Sequence, residues 1–133
     1  MQNSLHKVDN AGKAEHFLQE CAAWLRLLDF LKQENAYLKT RLSEVLDHKI
    51  DHEFLKEAEH FQNLFIIKDE FIHEIAKDIK LHDERLRELF QLKKEVDDKL
   101  NRQQQKLRNE VDHLEREFIR MKNEFNKNLL AVI

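Results

Sequence analysis

From residue 14 onward, the hydrophobic residues of this chain recur at intervals of three and four. Two lines of positions alternate in the first stretch. One contains Phe17, Trp24, Leu31, Leu38 and Val45, and the other contains Cys21, Leu28, Asn35 and Leu42. This spacing places both lines on one face of a helix. The pattern predicts a first helix over about residues 14–46, in which Asn35 is a buried polar position that fixes the register of packing.

The next stretch predicts a second helix over about residues 52–80. Its core-facing stripe is Phe54, Ala58, Phe61, Phe65, Ile72, Ile75 and Ile79. The flanks of this stripe are also apolar, with Leu64, Ile66, Ile67 and Phe71. A helix that is apolar on more than one side is usually covered on more than one side. We therefore expect the second helix to be the central helix of a bundle.

The break between the first two helices is predicted near residues 47–51. Asp51 can act as the N-cap of the second helix, and Ile50 and Leu55 are placed to pack as a hydrophobic staple across it. Asp47 is the alternative cap. A carboxylate at this position also favours the positive end of the helix dipole.

The end of the second helix is open to two interpretations. Asp83 could cap a third helix, which would place a turn at residues 80–84. The heptad line through Ile79 and Leu86 also continues by sevens through Lys93 to Leu100, so a single long helix is the alternative. We favour the turn, because the wide apolar face of the second helix needs more cover than the first helix provides.

The third predicted helix, over about residues 84–128, has a narrow hydrophobic seam typical of a coiled coil. The seam residues are Leu100, Leu107, Val111, Leu114, Phe118, Met121 and Phe125. At about 1.5–3 kcal/mol each, burying these side chains is worth roughly 10–20 kcal/mol. A second helix of about 29 residues would leave part of a third helix of about 45 residues uncovered. We therefore predict self-association through this seam, most simply as a homodimer, and expect Leu107→Glu to weaken it far more than Arg108→Glu.

The amino-acid composition also favours long helices. The chain of 133 residues has no proline and a single glycine, Gly12, within a polar segment that is predicted as a disordered or frayed arm over residues 1–13. Residues 14–133 are predicted to form a single domain. The charged fraction of 37% exceeds that of a typical globular domain and fits helices with large solvated faces. The predicted fold is all-α: three long helices in an antiparallel bundle with a coiled-coil extension.

Charge and cysteine content limit the possible partners. Lys and Arg number 23 and Asp and Glu 26, and no segment concentrates positive charge as a phosphate backbone requires, so nucleic-acid binding is disfavoured. No apolar run approaches the roughly 20 residues of a membrane span. Cys21, the only cysteine, fits a reducing, cytoplasmic compartment, and its apolar neighbours predict a buried thiol.

Histidines supply the few candidate sites for chemistry. Three Glu-x-x-His pairs end in His60, His73 and His113, but the helical period turns these histidines away from the core, against a di-metal centre. His48 and His52 could hold a surface metal if one helix carried both. His73 followed by Glu74 resembles the phosphoacceptor turn of histidine-kinase dimerisation helices. His82 falls on the apolar stripe, either at a turn or as a buried, pH-sensitive contact.

These observations favour a protein without enzymatic activity. A chain of regular helices offers neither a glycine-rich phosphate loop nor the irregular, polar-lined cavity that a small-molecule substrate or cofactor usually needs. The expected function is a structural or interaction module that associates with itself and with other helical proteins. The alternative is a metal- or phosphate-handling bundle that uses His48 and His52 or His73 and Glu74.

Overall fold

The computed structural model of the chain is all-α and consists of three helices that pack against one another. The described residues are 2–48 and 52–132 for the backbone, and 12–48 and 52–129 for the side chains. Helix α1 spans Gln2–Leu46, α2 spans His52–Gln91 and α3 spans Asp98–Val132. The predicted all-α bundle of three long helices is confirmed.

Helix α1 begins earlier than the sequence pattern predicts. It starts at Gln2 rather than near residue 14, so that Gly12 lies inside the helix. A glycine in a helix interior costs only about 1 kcal/mol relative to alanine, and no proline interrupts the hydrogen-bond ladder. The segment predicted as a frayed arm therefore has helical backbone from Gln2 onward.

The break between α1 and α2 lies where the sequence predicts it. Helix α1 ends at Leu46, where Asp47 N–H donates to the Ser43 carbonyl and His48 N–H to the Val45 carbonyl. Helix α2 begins at His52. The predicted cap at Asp51 and the staple partner Ile50 lie outside the described residues.

The second break is not at residues 80–84, and that prediction is wrong. Helix α2 continues to Gln91, and the chain turns at Lys93, whose φ is 56°. Lys94 N–H donates to the Leu89 carbonyl (3.0 Å) and Lys93 N–H to the Phe90 carbonyl (3.2 Å). This pair of bonds is the Schellman arrangement that ends many helices, in which the left-handed residue is usually glycine. Here a lysine takes that conformation, so the missing glycine does not prevent a turn.

Asp97, rather than Asp83, starts the third helix. The Asp97 side chain accepts a hydrogen bond from the Leu100 backbone N–H (2.8 Å), and its carbonyl accepts one from the Asn101 N–H (3.0 Å). This is the N-cap geometry that satisfies the free donors of a first turn. Asp83 instead lies inside α2 and accepts a hydrogen bond from Arg87 Nε (2.6 Å).

The position of this turn changes the lengths of the helices. With 40 residues in α2 and 35 in α3, the two helices are about 60 Å and about 52 Å long. Helix α3 is therefore not longer than α2, so the excess length that predicted an uncovered extension of α3 is absent. Leu100 and Leu129, near the two ends of α3, are both buried.

The bundle separates into two compact units. Unit 1 comprises Met1–Leu28 and Glu74–Val111, and unit 2 comprises Asp29–His73 and Asp112–Ile133. Each unit contains a portion of all three helices and has its own core. In unit 1 the buried side chains include Cys21, Trp24, Ile79, Leu86 and Leu107, and in unit 2 they include Leu38, Phe61, Phe65, Phe118 and Phe125. The single domain predicted over residues 14–133 stays a prediction.

Candidate interaction surface

The seven residues predicted as a self-association seam are core residues of the single chain. Their exposed fractions range from 0% at Leu107 to 8% at Leu100. In unit 2, the Phe125 ring packs edge-on against the rings of Phe61 and Phe65 from α2, with centroids 5.3 and 5.2 Å apart. Helices α1 and α2 thus cover the seam that a second chain was expected to cover. The remaining seam residues are also buried: Val111, Leu114, Phe118 and Met121.

Unit 1 contains a buried polar layer that links all three helices. His82 on α2 lies with its Nε2 2.6 Å from Gln104 Oε1 on α3. Gln104 Nε2 donates to Glu20 Oε1 (2.9 Å) and to the Phe17 carbonyl (3.3 Å) of α1. Arg108 then donates from Nε to Glu20 Oε2 at 2.9 Å. Arg108 is therefore not the inert exposed neighbour of Leu107 that the sequence pattern suggested.

The proton positions in this layer follow from the donors. Gln104 uses its amide N–H groups on Glu20 and Phe17, so its oxygen must accept, and His82 Nε2 must donate. His82 Nδ1 is then the acceptor nitrogen of a neutral ring, and it is buried without a hydrogen-bond partner among the described residues. Burial lowers the pKa of His82, the bond to Gln104 opposes this, and the nearby charges of Arg85 and Asp83 act in opposite directions. The histidine is thus a buried contact rather than a residue at a turn.

The surroundings in unit 1 also shift the pKa values of Glu20 and Cys21. The hydrogen bond from Arg108 lowers the pKa of the Glu20 carboxyl, although burial acts against it, and the bond from Gln104 adds to the effect. Burial raises the pKa of the Cys21 thiol to about 12, and the carboxylates of Asp83 and Glu20 raise it further. Because the thiolate is the reactive form, this cysteine is a packing residue, as its neighbours in the sequence predict.

Unit 2 has a smaller polar contact at Asn35, the predicted seam asparagine. Asn35 is fully buried, and its Nδ2 donates to the Phe65 carbonyl and to Asp69 Oδ1, both at 2.8 Å. Lys39 forms an ion pair with the same aspartate. The two acceptors lie one turn apart on α2, and Asn35 meets both in this register only. The amide therefore fixes the register of α1 against α2.

The histidines singled out for metal or phosphate chemistry are separate and exposed. His48 follows the end of α1 and His52 begins α2, so the two do not share a helix as the proposed metal clip requires. His73 and Glu74 are exposed on α2, and His60 and His113 are exposed as predicted. Among the described side chains, no group of three or more His, Cys, Asp or Glu residues is arranged to hold a metal ion.

A shallow depression of about 260 Å³ lies beside the α2–α3 turn in unit 1. Its walls carry both signs of charge, from Arg85, Lys99, Glu88 and Asp97. Ligand pockets are usually about 300–1,000 Å³, so this depression is small for that role.

The feature that most resembles a functional site is exposed hydrophobic surface. The flanks of α2 were expected to be covered, but Ile66, Ile67 and Phe71 are 49%, 41% and 51% exposed. Single exposed hydrophobic residues are normal, whereas three within two turns of one helix form a patch. In unit 2, Ile119 of α3 is also half exposed. Other large exposed apolar residues are Phe30, Tyr37, Leu81, Phe90 and Leu92.

Comparisons with protein-family models, with curated proteins and with solved structures find no match. Within the described residues, no helix combines the length and the apolar character needed to cross a bilayer.

Proposed function

We propose that this protein is a non-enzymatic helical interaction module that associates with itself through its outer surface and can present the same surface to another helical protein. The supporting observation is the patch of half-exposed Ile66, Ile67 and Phe71 on a helix whose core-facing side is already filled by the chain itself. Burying the exposed half of a side chain of this size against a partner contributes about 1 kcal/mol of hydrophobic stabilisation.

This proposal moves the contact away from the α3 seam. Leu107 and Phe118 are 0% and 2% exposed, so bringing them to a partner would require the bundle to open. Opening would sacrifice the burial of the entire seam, worth roughly 10 kcal/mol or more. An outer-surface contact needs no such rearrangement, and helical partners are commonly recognised through residues spaced by three and four on one face.

Light scattering on a sizing column, over a series of protein concentrations, tests the proposal. The expected mass rises above the 16.2 kDa of one chain as the concentration increases, while helicity by circular dichroism stays constant. A mass of one chain at high micromolar concentration and low salt would contradict self-association. Metal analysis of untagged protein is the accompanying control, because stoichiometric iron or zinc would favour the metal-handling alternative.

A further inference from the structure

The outer face of α2 in unit 2 carries an acidic residue among the exposed hydrophobic ones. We define the α2 patch as Ile66, Ile67, Glu70 and Phe71, all of which are exposed. Ile67 lies two residues after buried Phe65, and Glu70 two residues before buried Ile72, which places both on the side of α2 away from the core. A carboxylate therefore lies beside three exposed apolar side chains.

The outer face of α3 in the same unit has the opposite charge. Arg116 and Arg120 each follow a buried residue, Leu114 or Phe118, by two positions and are exposed, and Arg120 has 70% of its side chain accessible. Ile119 lies between them and is 50% exposed. We define these three residues as the α3 patch. The exposed positions of α3 in this unit include Arg116, Arg120 and Lys127, which outnumber the exposed acidic residues Asp112 and Glu124.

The contacts that the two arginines make within the chain leave donors for a partner. Arg116 Nε is 3.4 Å from the Asp112 carbonyl, and Arg120 Nη1 is 3.3 Å from Glu117 Oε1. A guanidinium has five N–H donors, and exposed ion pairs between neighbours on a helix are worth only about 0.3–0.5 kcal/mol. Both side chains can therefore reorient toward a second carboxylate at little cost.

We propose that the α3 patch of one copy docks on the α2 patch of a second copy. The two patches match in spacing as well as in charge. Arg116 and Arg120 are four residues apart on α3, as Ile67 and Phe71 are on α2, and Glu70 lies between the latter pair. Arginine pairs with carboxylates through two parallel hydrogen bonds and stacks on aromatic rings, so Glu70 and Phe71 offer it both kinds of contact. This inference rests on the self-association proposed above and names the surfaces involved.

Charge also disfavours contacts between two patches of the same kind. A two-fold contact of α2 patch with α2 patch would bring two Glu70 carboxylates together, and one of α3 patch with α3 patch would bring arginines together. Like charges facing each other across an interface cost several kcal/mol. The favoured contact is therefore between unlike patches. It either forms twice in a two-fold dimer, with the α3 patch of each copy on the α2 patch of the other, or continues head-to-tail from copy to copy. Patches of three or four residues are far smaller than the 20–30 residues per side of a stable interface, so the association is weak.

Two charge-reversed variants and their mixture test this inference. Variant one carries Glu70→Arg, and variant two carries Arg116→Glu together with Arg120→Glu. In either variant alone, the α2 patch and the α3 patch carry charges of the same sign. We therefore expect the dissociation constant, measured by sedimentation equilibrium, to rise about tenfold or more. In an equimolar mixture each patch meets an oppositely charged one, and we expect association to recover to the level of the unchanged chain. This recovery also shows that both variants are folded.

The control variant reverses a charge on the same helix outside unit 2. Arg102→Glu lies on the exposed side of α3 in unit 1, and we expect it to leave association unchanged. Raising the salt from about 0.1 M to about 1 M shortens the screening length from about 10 Å to about 3 Å and should weaken the association of the unchanged chain. Association that neither variant weakens, or a mixture that fails to recover, would overturn the docking of these patches and leave self-association intact. A chain that stays monomeric under all conditions would overturn both.

Discussion

Units 1 and 2 have the same three-helix arrangement but fill the centres of their cores with different chemistry. The centre of unit 2 is aromatic, because Phe61, Phe65 and Phe125 pack against one another with ring centroids 5.2–6.4 Å apart. Unit 1 instead places His82 and Gln104 at core positions and connects them to Glu20 and Arg108. Similar helix patterns thus build one core whose stability depends on the packing of aromatic rings and another whose stability also depends on buried hydrogen bonds.

The difference predicts where each unit is vulnerable. Aromatic packing is sensitive to lost volume and insensitive to pH. A buried polar network is sensitive to the loss of any single partner, because the remaining groups are left desolvated and unsatisfied.

Truncation of the aromatic centre of unit 2 should have the largest effect. We expect Phe65→Ala to lower the free energy of unfolding by about 3–5 kcal/mol, because the fully buried ring contacts two other rings. Urea denaturation of dilute protein measures the change. The neighbouring Ile66→Ala is the matched control, and because Ile66 is 49% exposed, a loss below about 1 kcal/mol is expected. Equal losses for the two variants would contradict the aromatic core.

Removal of the central carboxylate of unit 1 should have the next largest effect. Glu20→Ala deprives Gln104 and Arg108 of a shared acceptor, and we expect a loss of about 1–3 kcal/mol at pH 7. The comparison in unit 2 is Glu34→Ala, which removes a single bond from Lys122 (2.6 Å) and should cost below about 1 kcal/mol. A Glu34 variant as unstable as the Glu20 variant would show that the polar layer of unit 1 is not special.

Mild acid should destabilise the chain through His82. Burial lowers the pKa of this histidine in the folded chain from its ordinary 6.5, so between the two values the unfolded chain binds more protons than the folded one. Stability is therefore complete above pH 6.5 and falls as the pH decreases, by up to about 1.4 kcal/mol per pH unit. Urea denaturation at several values between pH 7 and pH 5 measures this slope.

The matched variants for the pH experiment are His82→Gln and His73→Gln. Glutamine at position 82 keeps an amide donor for Gln104 but does not titrate, so the slope should be reduced. His73 is exposed, and its replacement should leave the slope unchanged. The attribution to the buried histidine would be wrong if both variants kept the slope of the unchanged chain.

The turn between α2 and α3 should give the smallest effect, and a stabilising one. Lys93 has a φ of 56°, a region that costs a non-glycine residue about 1–2 kcal/mol. Lys93→Gly relieves this strain but adds about 0.4–1 kcal/mol of chain entropy in the unfolded state, which leaves a gain of roughly 0–1.5 kcal/mol. Thermal unfolding measures it. Lys94→Gly should bring no gain, and a gain equal to that of Lys93→Gly would contradict the role of the positive φ.

The buried face of each helix was the most predictable property of this chain. The stripes of α1 and α2, the break before His52 and the burial of Asn35 and Trp24 agree with the pattern of apolar residues. These features depend on which face of a helix each residue occupies, and the period of 3.6 determines that locally. The turn at Lys93 was not predictable in this way, because it uses a residue type that normally avoids positive φ.

The candidate surface was harder to predict than the helices. The apolar flank of α2 was visible in the sequence, but whether Ile66 and Phe71 are covered or exposed depends on where the neighbouring helices lie. The seam of α3 differs from the prediction in another way. Its residues are buried, as expected, but they are covered by the same chain and not by a second one. The chain turns at Lys93 and not at residues 80–84, and the residues predicted as an interface are core residues.

The amino-acid pattern alone is sufficient for an all-α chain with amphipathic helices, because hydrophobic periodicity acts within each helix and no proline or interior break opposes it. It does not determine what covers each apolar face. That depends on the register in which helices meet, and the register here is set by contacts between distant residues, such as His82 with Gln104 and Asn35 with Asp69. Only when those pairs are in place is the α3 seam inside the molecule and the α2 patch outside it.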